Sequence, residues 1–543
     1  MASSFQLSNM MQHNMSSLLQ DLHTLRAHIL TLSPVELIKY AALCGSAYTL
    51  GYTFIYLPVR FLYRVYFHPL RKVPGPKMPL FSIDINKLYT TYWRGKRRGD
   101  YLDDITELHR TYGPIVRTGP TFVHIADIET YNQIFKVATK FPKSVQFYNH
   151  PSTKDSLLDV IDFHEAHLRR NALQPYFSKQ SVRKLEGLIQ SKVTLLLDRI
   201  HTMNRIDISR GFRCLACDVI TTYSYEKSFD ALEEPNFAPE WLRAFESLIE
   251  STKIQEAFPT LFAFIGWFFM NFLSRDTVRK ISPPMAHVLD FQDHCHDAVM
   301  VQKRKWDNGE TDMVTIFAQL FQDDPKKGRK AATEAQLASD ALLTVSAGMD
   351  TTGHTLTLAT FHLVKNPDIQ KRLLDELKAV MKTPRSDIKE EVLEQLPFLQ
   401  AVIKESLRFG HGIPGPLPRD VPSTGANLLG YDLPPGTCVM NSHYMYHTNP
   451  TVYPEPFKFN PERWLAEDTK EQEKYFMPFS RGARICVGMN LAWAELELTV
   501  ARLFRRYEIS FDKDFKDENM NWRALFVPVT DGPLLINVKE RNE

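Results

Sequence analysis

The chain has 543 residues, with 65 Lys+Arg against 63 Asp+Glu, and its formal net charge of +2 points away from acidic or nucleic-acid partners. At 44% hydrophobic and 24% charged it reads as globular, not disordered, collagenous or many-spanning. Six cysteines are too few for a disulfide framework and suit a reducing compartment.

Residues 1–36 are polar and mixed. Leu37–Leu57 is an apolar stretch of 21 residues, long enough for one transmembrane helix. Between Pro58 and Asp100 ten Lys/Arg face two Asp, which places that side in the cytosol and the first 36 residues in the lumen. The lumenal tail carries a glycosylation sequon, Asn14-Met15-Ser16. His68-Pro69-Leu70 and Val73-Pro74-Gly75-Pro76 make residues 58–78 a stiff, basic, non-helical hinge. The main domain is expected over residues 79–543. The cluster Arg94–Arg98 lacks interleaved aromatics and reads as a membrane-facing or solvated surface.

Helical patterns dominate from about residue 100 to 410. Strand-like runs occur near Ile115–Ile125, at Ala426–Met440 and over the last 35 residues. The fold class is mainly α with a minor β part. Cys214-x-x-Cys217 has no second metal-binding pair at finger spacing and reads as a structural i, i+3 pair. His294-Cys295-His296 reads as an ordinary helix turn. Phe258–Leu273 is strongly apolar and fits a membrane-dipping or substrate-access segment, or a buried helix.

Thr333-Glu334-Ala335-Gln336 is a capping box that opens a long helix. It should stop before Asn366-Pro367, a run of about 31 residues and roughly 45 Å. Inside it lies Ala347-Gly348-Met349-Asp350-Thr351-Thr352. Gly348 weakens a helix, and adjacent threonines can bend one. The segment is either a kink kept for packing or a ligand groove in which Asp350 and Thr351 handle protons.

Phe479-Ser480-Arg481-Gly482-Ala483-Arg484-Ile485-Cys486-Val487-Gly488 precedes a helical run from about Asn490 to Arg506. Its five fixed positions, Phe-x-x-Gly-x-Arg-x-Cys-x-Gly, have a chance expectation on the order of 10⁻⁴ in such a chain. The glycines allow a tight turn and close approach to a flat ligand. Cys486 stands before a helix N-terminus, which favours thiolate, and Arg484 can pair with an anion.

This loop resembles the haem-binding loop of the cytochrome P450 family, and the resemblance extends over roughly residues 70–543. It implies that Cys486 is the axial thiolate of haem b, with Phe479, Arg484 and Gly488 around the cofactor. Ala347–Thr352 is similar to the family's oxygen-activating motif. Glu405-Ser406-Leu407-Arg408 is similar to its Glu-x-x-Arg motif, and Arg463 in Pro461-Glu462-Arg463-Trp464 would complete a Glu405–Arg408–Arg463 network. Arg419 and Arg170 match propionate-binding positions. Ala166 is a departure, because many members have Trp or His there; His164 and His167 are out of register.

The resemblance implies a haem-thiolate monooxygenase preceded by one N-terminal transmembrane helix. Such an enzyme uses O₂ and electrons from NADPH through a separate NADPH–cytochrome P450 reductase. No Gly-x-Gly-x-x-Gly loop offers the chain its own nicotinamide site. The basic face around Arg481 is the expected reductase dock. The wording Tyr66-Phe67-His68-Pro69-Leu70 resembles fungal microsomal members of secondary metabolism. That implies a single-pass endoplasmic reticulum protein with a cytosolic catalytic domain. Its lipophilic substrate would be a terpenoid or polyketide. The segments Gln146–Leu158, Phe258–Leu273, Leu342–Gly348, Ile413–Leu417 and Leu525–Val529 should shape the substrate site. The alternatives are a reductase-independent haem-thiolate isomerase or dehydratase, and a non-catalytic membrane haem sensor.

Overall fold

The structure, a computed structural model, describes residues 33–77, 100–148, 155–203, 205–242, 268, 272–312 and 315–542. The helices used below are, in chain order, α1 Pro34–Gly51, α2 Leu57–Tyr66, α3 Asp100–Tyr112, α4 Ile128–Ile134, α5 Phe163–Leu173, α6 Glu186–Thr202, α7 Ile208–Tyr225, α8 Pro283–Asp307, α9 Glu334–Lys365, α10 Pro367–Val380, α11 Pro397–Gly410 and α12 Met489–Arg506. The strands are β1 Ile115–Arg117, β2 Phe122–Ile125, β3 Ile206–Asp207, β4 Arg419–Asp420, β5 Ala426–Leu428, β6 Tyr431–Leu433, β7 Cys438–Met440, β8 Tyr507–Phe511, β9 Trp522–Ala524, β10 Pro528–Thr530 and β11 Leu535–Glu540. The expected mainly α fold with a minor β part is what forms. All three expected strand regions contain strands.

The largest sheet has the order β1-β2-β7-β4, with β2 and β7 parallel and Val123 opposite Val439. Leu70, Val73, Val123, Tyr131 and Val439 share one core beneath it. A second sheet, β3-β11-β8, closes the chain's C-terminal end against the helices. The main core joins α6, α7, α9 and α12. Cys214 and Cys217 are buried there on α7, the structural pair expected of them. Cys295 is buried on α8, with His294 packed edge-on to Phe229 and His296 bonded to Glu334, an ordinary helix turn.

Thr333 caps α9 as a capping box: Gln336 N–H donates to Thr333 Oγ1, and Thr333 N–H donates to Gln336 Oε1. The helix has 32 residues and ends at Lys365, one residue before the Asn366-Pro367 pair that opens α10. It runs unbroken through Gly348. Thr351 and Thr355 hydroxyls donate to the carbonyls four residues back, at 2.8 and 2.9 Å, so they stay inside the helix's own ladder. The close packing falls elsewhere than expected. A Cβ on Gly348 would meet Ile220 at an ordinary 3.5 Å, whereas one on Gly353 would stand 2.7 Å from Arg213 Cγ on α7. Gly353 is therefore where α7 and α9 touch.

The N-terminal expectation takes a different form. Among the described residues no helix is long and apolar enough to cross a membrane, so the span at 37–57 is not shown. Instead α1, a π-helical turn at Tyr52–Tyr56 and α2 follow one another without leaving helical backbone. Tyr48, Tyr52 and Tyr56 stack along it at 6.0 and 5.2 Å. Residues 58–66 of the hinge are helical: the π turn just before Pro58, where Leu57 N–H donates to Tyr52 O, shifts the helix's hydrogen bonding and lets the chain run on through the proline. Below them the chain is seated on the sheet. Arg117 Nη1 donates to Arg64 O at 2.9 Å, and Leu70 is fully buried. The stretch 1–32, the boundary near residue 79 and Arg94–Arg98 lie outside the described residues. Of Phe258–Leu273 only Phe268, Phe272 and Leu273 are described; the two phenylalanine rings are 5.2 Å apart.

Gly353→Ala is expected to lower stability by about 1–3 kcal/mol through overpacking against α7. Gly187→Ala on α6, where a Cβ meets nothing within 4 Å, should raise it by about 0.5–1 kcal/mol. Urea unfolding followed by tryptophan fluorescence reads both.

Candidate functional site

The cysteine loop is fixed by its own backbone. Cys486 N–H donates to Phe479 O at 2.9 Å, and Gly482–Arg484 forms a short 3₁₀ turn. Gly482 sits at φ +73, and a Cβ there would lie 1.9 Å from Phe135 O, so only glycine fits. Gly488 is the N-cap of α12, and a Cβ on it would meet nothing within 4 Å. Phe479 packs against the main core. Arg481 departs from expectation. Its guanidinium donates to Asn132 Oδ1 at 2.9 Å and to the carbonyls of Glu473, Lys474 and Phe476. It clamps the loop to α4 and is not a free surface charge.

Cys214, Cys217, Cys295 and Cys438 are buried, and Cys486 alone of the described thiols is exposed. Yet burial is the largest influence on that thiol and pushes its pKa up. The two facts agree for a residue on the wall of an interior hollow. The Gly488 N–H and the Arg170 charge oppose the rise without cancelling it.

Cations converge beside the thiol. Arg170 lies on α5 and feels the Cys486 charge. Arg484 is pulled down to about 10 by burial and by Arg419 and Arg170. Lys143 is driven down by burial and by the same three arginines. Sequence reading missed Lys143, which pairs with Arg419 in a β-bridge and is buried. Hydrogen bonds from these groups go to uncharged acceptors: Lys143 to Leu158 O, Arg419 to Pro418 O and Tyr148 Oη, Arg484 to Val160 O at 2.9 Å. Neighbouring Arg169 is instead spent on Asp340, at 2.6 Å. Ala166 is buried, and His167 accepts from Asn171 at 2.9 Å on the exposed side of α5.

The third wall is α9. Ala347 is exposed and Thr351 half-buried, and from Met349 to Leu363 most of the helix is buried. Asp350 points elsewhere. It accepts from Arg213 Nε on α7 at 2.8 Å and is buried. Asp350 and Thr351 are thus neighbours in sequence on different faces, the acid held by α7 and the hydroxyl towards the hollow.

The sequence model for cytochrome P450 matches residues 88–535. The chain belongs to the cytochrome P450 family. It is 32% identical to cytochrome P450 monooxygenase hkm5 of Aspergillus hancockii over 484 residues, covering 88% of this chain and 91% of that protein. It is 31% identical to monooxygenase macH of Penicillium terrestre over 530 residues, covering 95% and 100%. It is also 32% identical to the tryptophan 6-hydroxylase fscE of Fusarium equiseti, covering 82% and 86%. Membership makes the chain a monooxygenase of the haem-thiolate class, with haem b as cofactor.

The residues of this cytochrome P450 fit that group. A deep thiol is open to the hollow, the hydrogen bonds from Lys143, Arg419 and Arg484 beside it go to uncharged acceptors among the described residues, and the face next to Gly488 is clear. Behind the loop the Glu-x-x-Arg element is complete. Glu405 is fully buried on α11. It accepts from Arg408 Nε and Nη2 at 2.9 and 2.8 Å and from Arg463 Nε at 3.2 Å. Two further donors were not assigned from sequence: Trp464 Nε1 at 2.9 Å and Asn460 N at 3.0 Å. The signal was present in the tryptophan that follows Pro-Glu-Arg, since an indole beside a buried acid is a donor.

Trp464→Phe keeps the ring packing and removes one donor from a buried carboxylate. It should cost about 1–3 kcal/mol and speed haem loss. Haem transfer to apomyoglobin measures that loss.

Proposed function

We propose that this cytochrome P450 is a membrane-attached monooxygenase of fungal secondary metabolism, one that hydroxylates or epoxidises a lipophilic terpenoid or polyketide. Electrons come from NADPH through a separate reductase. For hydroxylation the balance is RH + O₂ + NADPH + H⁺ → ROH + NADP⁺ + H₂O. The observation that carries this reading is the deep Cys486 thiol, with cations at its side and a hydroxyl-bearing helix along the same hollow.

Haem supplies reductive activation of O₂. With haem bound, Cys486 would ligate its iron, and Arg170, Arg419, Arg484 and Lys143 would neutralise its propionates. Thr351 passes protons: its hydroxyl donates to Ala347 O at 2.8 Å, and once it rotates off that carbonyl it can donate into the hollow while accepting from water. The ion pair with Arg213 keeps Asp350 oriented as the acid behind that hydroxyl. Ile413, Leu417 and Phe526 lie on segments expected to shape the substrate site, and an apolar lining suits a lipophilic substrate. The three similar proteins named above come from fungi, and one is named for hydroxylating an aromatic amino acid.

Membrane attachment is supported by the α1–π–α2 helix, about 50 Å long. Leu43, Tyr48, Phe54 and Ile55 along it are all more than 60% exposed. Apolar exposure on that scale calls for a cover, and the bilayer of the endoplasmic reticulum, with the haem domain in the cytosol, supplies it.

The reduced, CO-bound protein should show the strongly red-shifted Soret band of a thiolate haem, lost in Cys486→Ala. A band at the position of a neutral ligand would overturn the site. Thr351→Ala should raise peroxide released per NADPH severalfold, and unchanged coupling would remove Thr351 from proton delivery. The full chain should stay in the membrane pellet in alkaline carbonate; its release would refute the anchor.

A further inference from the structure

The face of α9 that opens on the hollow ends at a histidine. Ala347, Thr351 and His354 follow at i, i+4 and i+7, and Thr355 to Phe361 are sealed. Of the His354 ring nitrogens only Nε2 is cut off from solvent, and it has no hydrogen-bond partner among the described residues. That edge of the ring faces the end of α11: a Cβ on Gly410 would stand 3.9 Å from His354 Cδ2, the atom beside Nε2.

The next residue, His411, caps α11 in the left-handed conformation at φ 56. It is buried, and its Nδ1 also lacks a partner. His354 thus lies beside Gly410, the residue that precedes His411, and it opposes a positive charge on His411. A sealed nitrogen without a partner is costly, and one water bonded to both would satisfy the pair. Outward from His411 lie Tyr444 and Trp522, at 5.1 and 5.5 Å between ring centres, both half-exposed. Tyr444 in turn feels Asp103, exposed on α3.

We propose that His354 and His411, joined by a buried water, form a proton route from the surface into the hollow at its Thr351 end, separate from Asp350. It rests on the monooxygenase reading, in which each turnover consumes two protons. The transfer balances. A proton taken at His411 Nε2 releases the one on Nδ1 to the water. The water passes one to His354 Nε2, and His354 Nδ1 gives its own to the hollow. One proton crosses, both rings stay neutral, and each ends as its other tautomer. Burial, Arg213 beside His354, and Arg408 and His443 beside His411 keep the rings from holding the charge, so they pass protons without storing them.

The test uses the full-length holoprotein with His354→Gln, His354→Leu, His411→Asn and the double variant. Gln at 354 can hold the water but cannot pass a proton across a ring. His354→Gln and His411→Asn are expected to lower product per NADPH severalfold and to enlarge the solvent deuterium isotope effect. The double variant should be no worse than either single change, and the CO band should match the parent's. Coupling at the parent's level in both singles, or additive losses in the double, would overturn the route. A second arm reads the water without turnover. His354→Leu should lower the thermal midpoint of the ferric protein, because a bridged water is lost. A raised midpoint would mean an unsatisfied nitrogen had been removed, and the route would fall. A parent that makes no product would instead sink the monooxygenase reading, and the thermal arm would still decide for or against the water.

Discussion

A single buried carboxylate sets the position of the thiol. Glu405 sits fully buried and gathers five donors from α11 and the Asn460–Trp464 segment. From Arg408 the hydrogen bonds continue towards the cysteine. Arg408 Nη1 donates to His447 O at 2.7 Å, and Met477 N–H to His447 Nε2 at 3.0 Å. Ser480 N–H then donates to Met477 O at 3.0 Å. Phe479, beside Ser480, carries the carbonyl that Cys486 N–H meets. A buried charge with all its lone pairs met holds geometry stiffly, whereas losing one partner costs about 3–5 kcal/mol. The network is thus better understood as positioning the loop than as adding net stability.

The other wall is placed by packing. α7 lies along α9, and at Gly353 the two are so close that a Cβ would collide with the Arg213 side chain. The same Arg213 then reaches Asp350. One contact therefore sets how far apart the helices lie and how α9 is rotated about its axis. That rotation turns Ala347, Thr351 and His354 to the hollow. The acid and the hydroxyl of the sequence motif are separated by the helix's own 100° step, so they can act in succession but not as a bidentate pair.

How much of this was legible in the sequence depended on range. The capping box at Thr333, the stop at Lys365 and the helix after Gly488 are local signals, and the structure meets them within a residue. The cysteine loop and the Glu-x-x-Arg element are short fixed patterns, and both form. What stayed hidden is held by long-range partners. Lys143 joins the cation cluster only because it bridges to Arg419. Gly353 matters only because α7 arrives opposite it. Arg481 looked like a surface charge because its acceptors are mostly backbone carbonyls, which no side-chain pattern records. The N-terminal helix outran its apolar stretch because a π turn absorbed Pro58.

The cations and the thiol together explain why such a site is built around its cofactor. Lys143, Arg170 and Arg484 are each made easier to deprotonate by burial, and Lys143 and Arg484 also by neighbouring cations. The thiol is harder to ionise, for the same reason of burial. Protein groups alone leave these tensions standing. A ligand carrying two carboxylates and a cationic metal relieves them at once: the carboxylates answer the arginines, and the metal answers the thiolate. Any group that binds the folded state and not the unfolded one stabilises it by its binding free energy. Folding and haem binding are therefore linked through the same side chains, and the strength of that link is set by how many like charges the site has gathered.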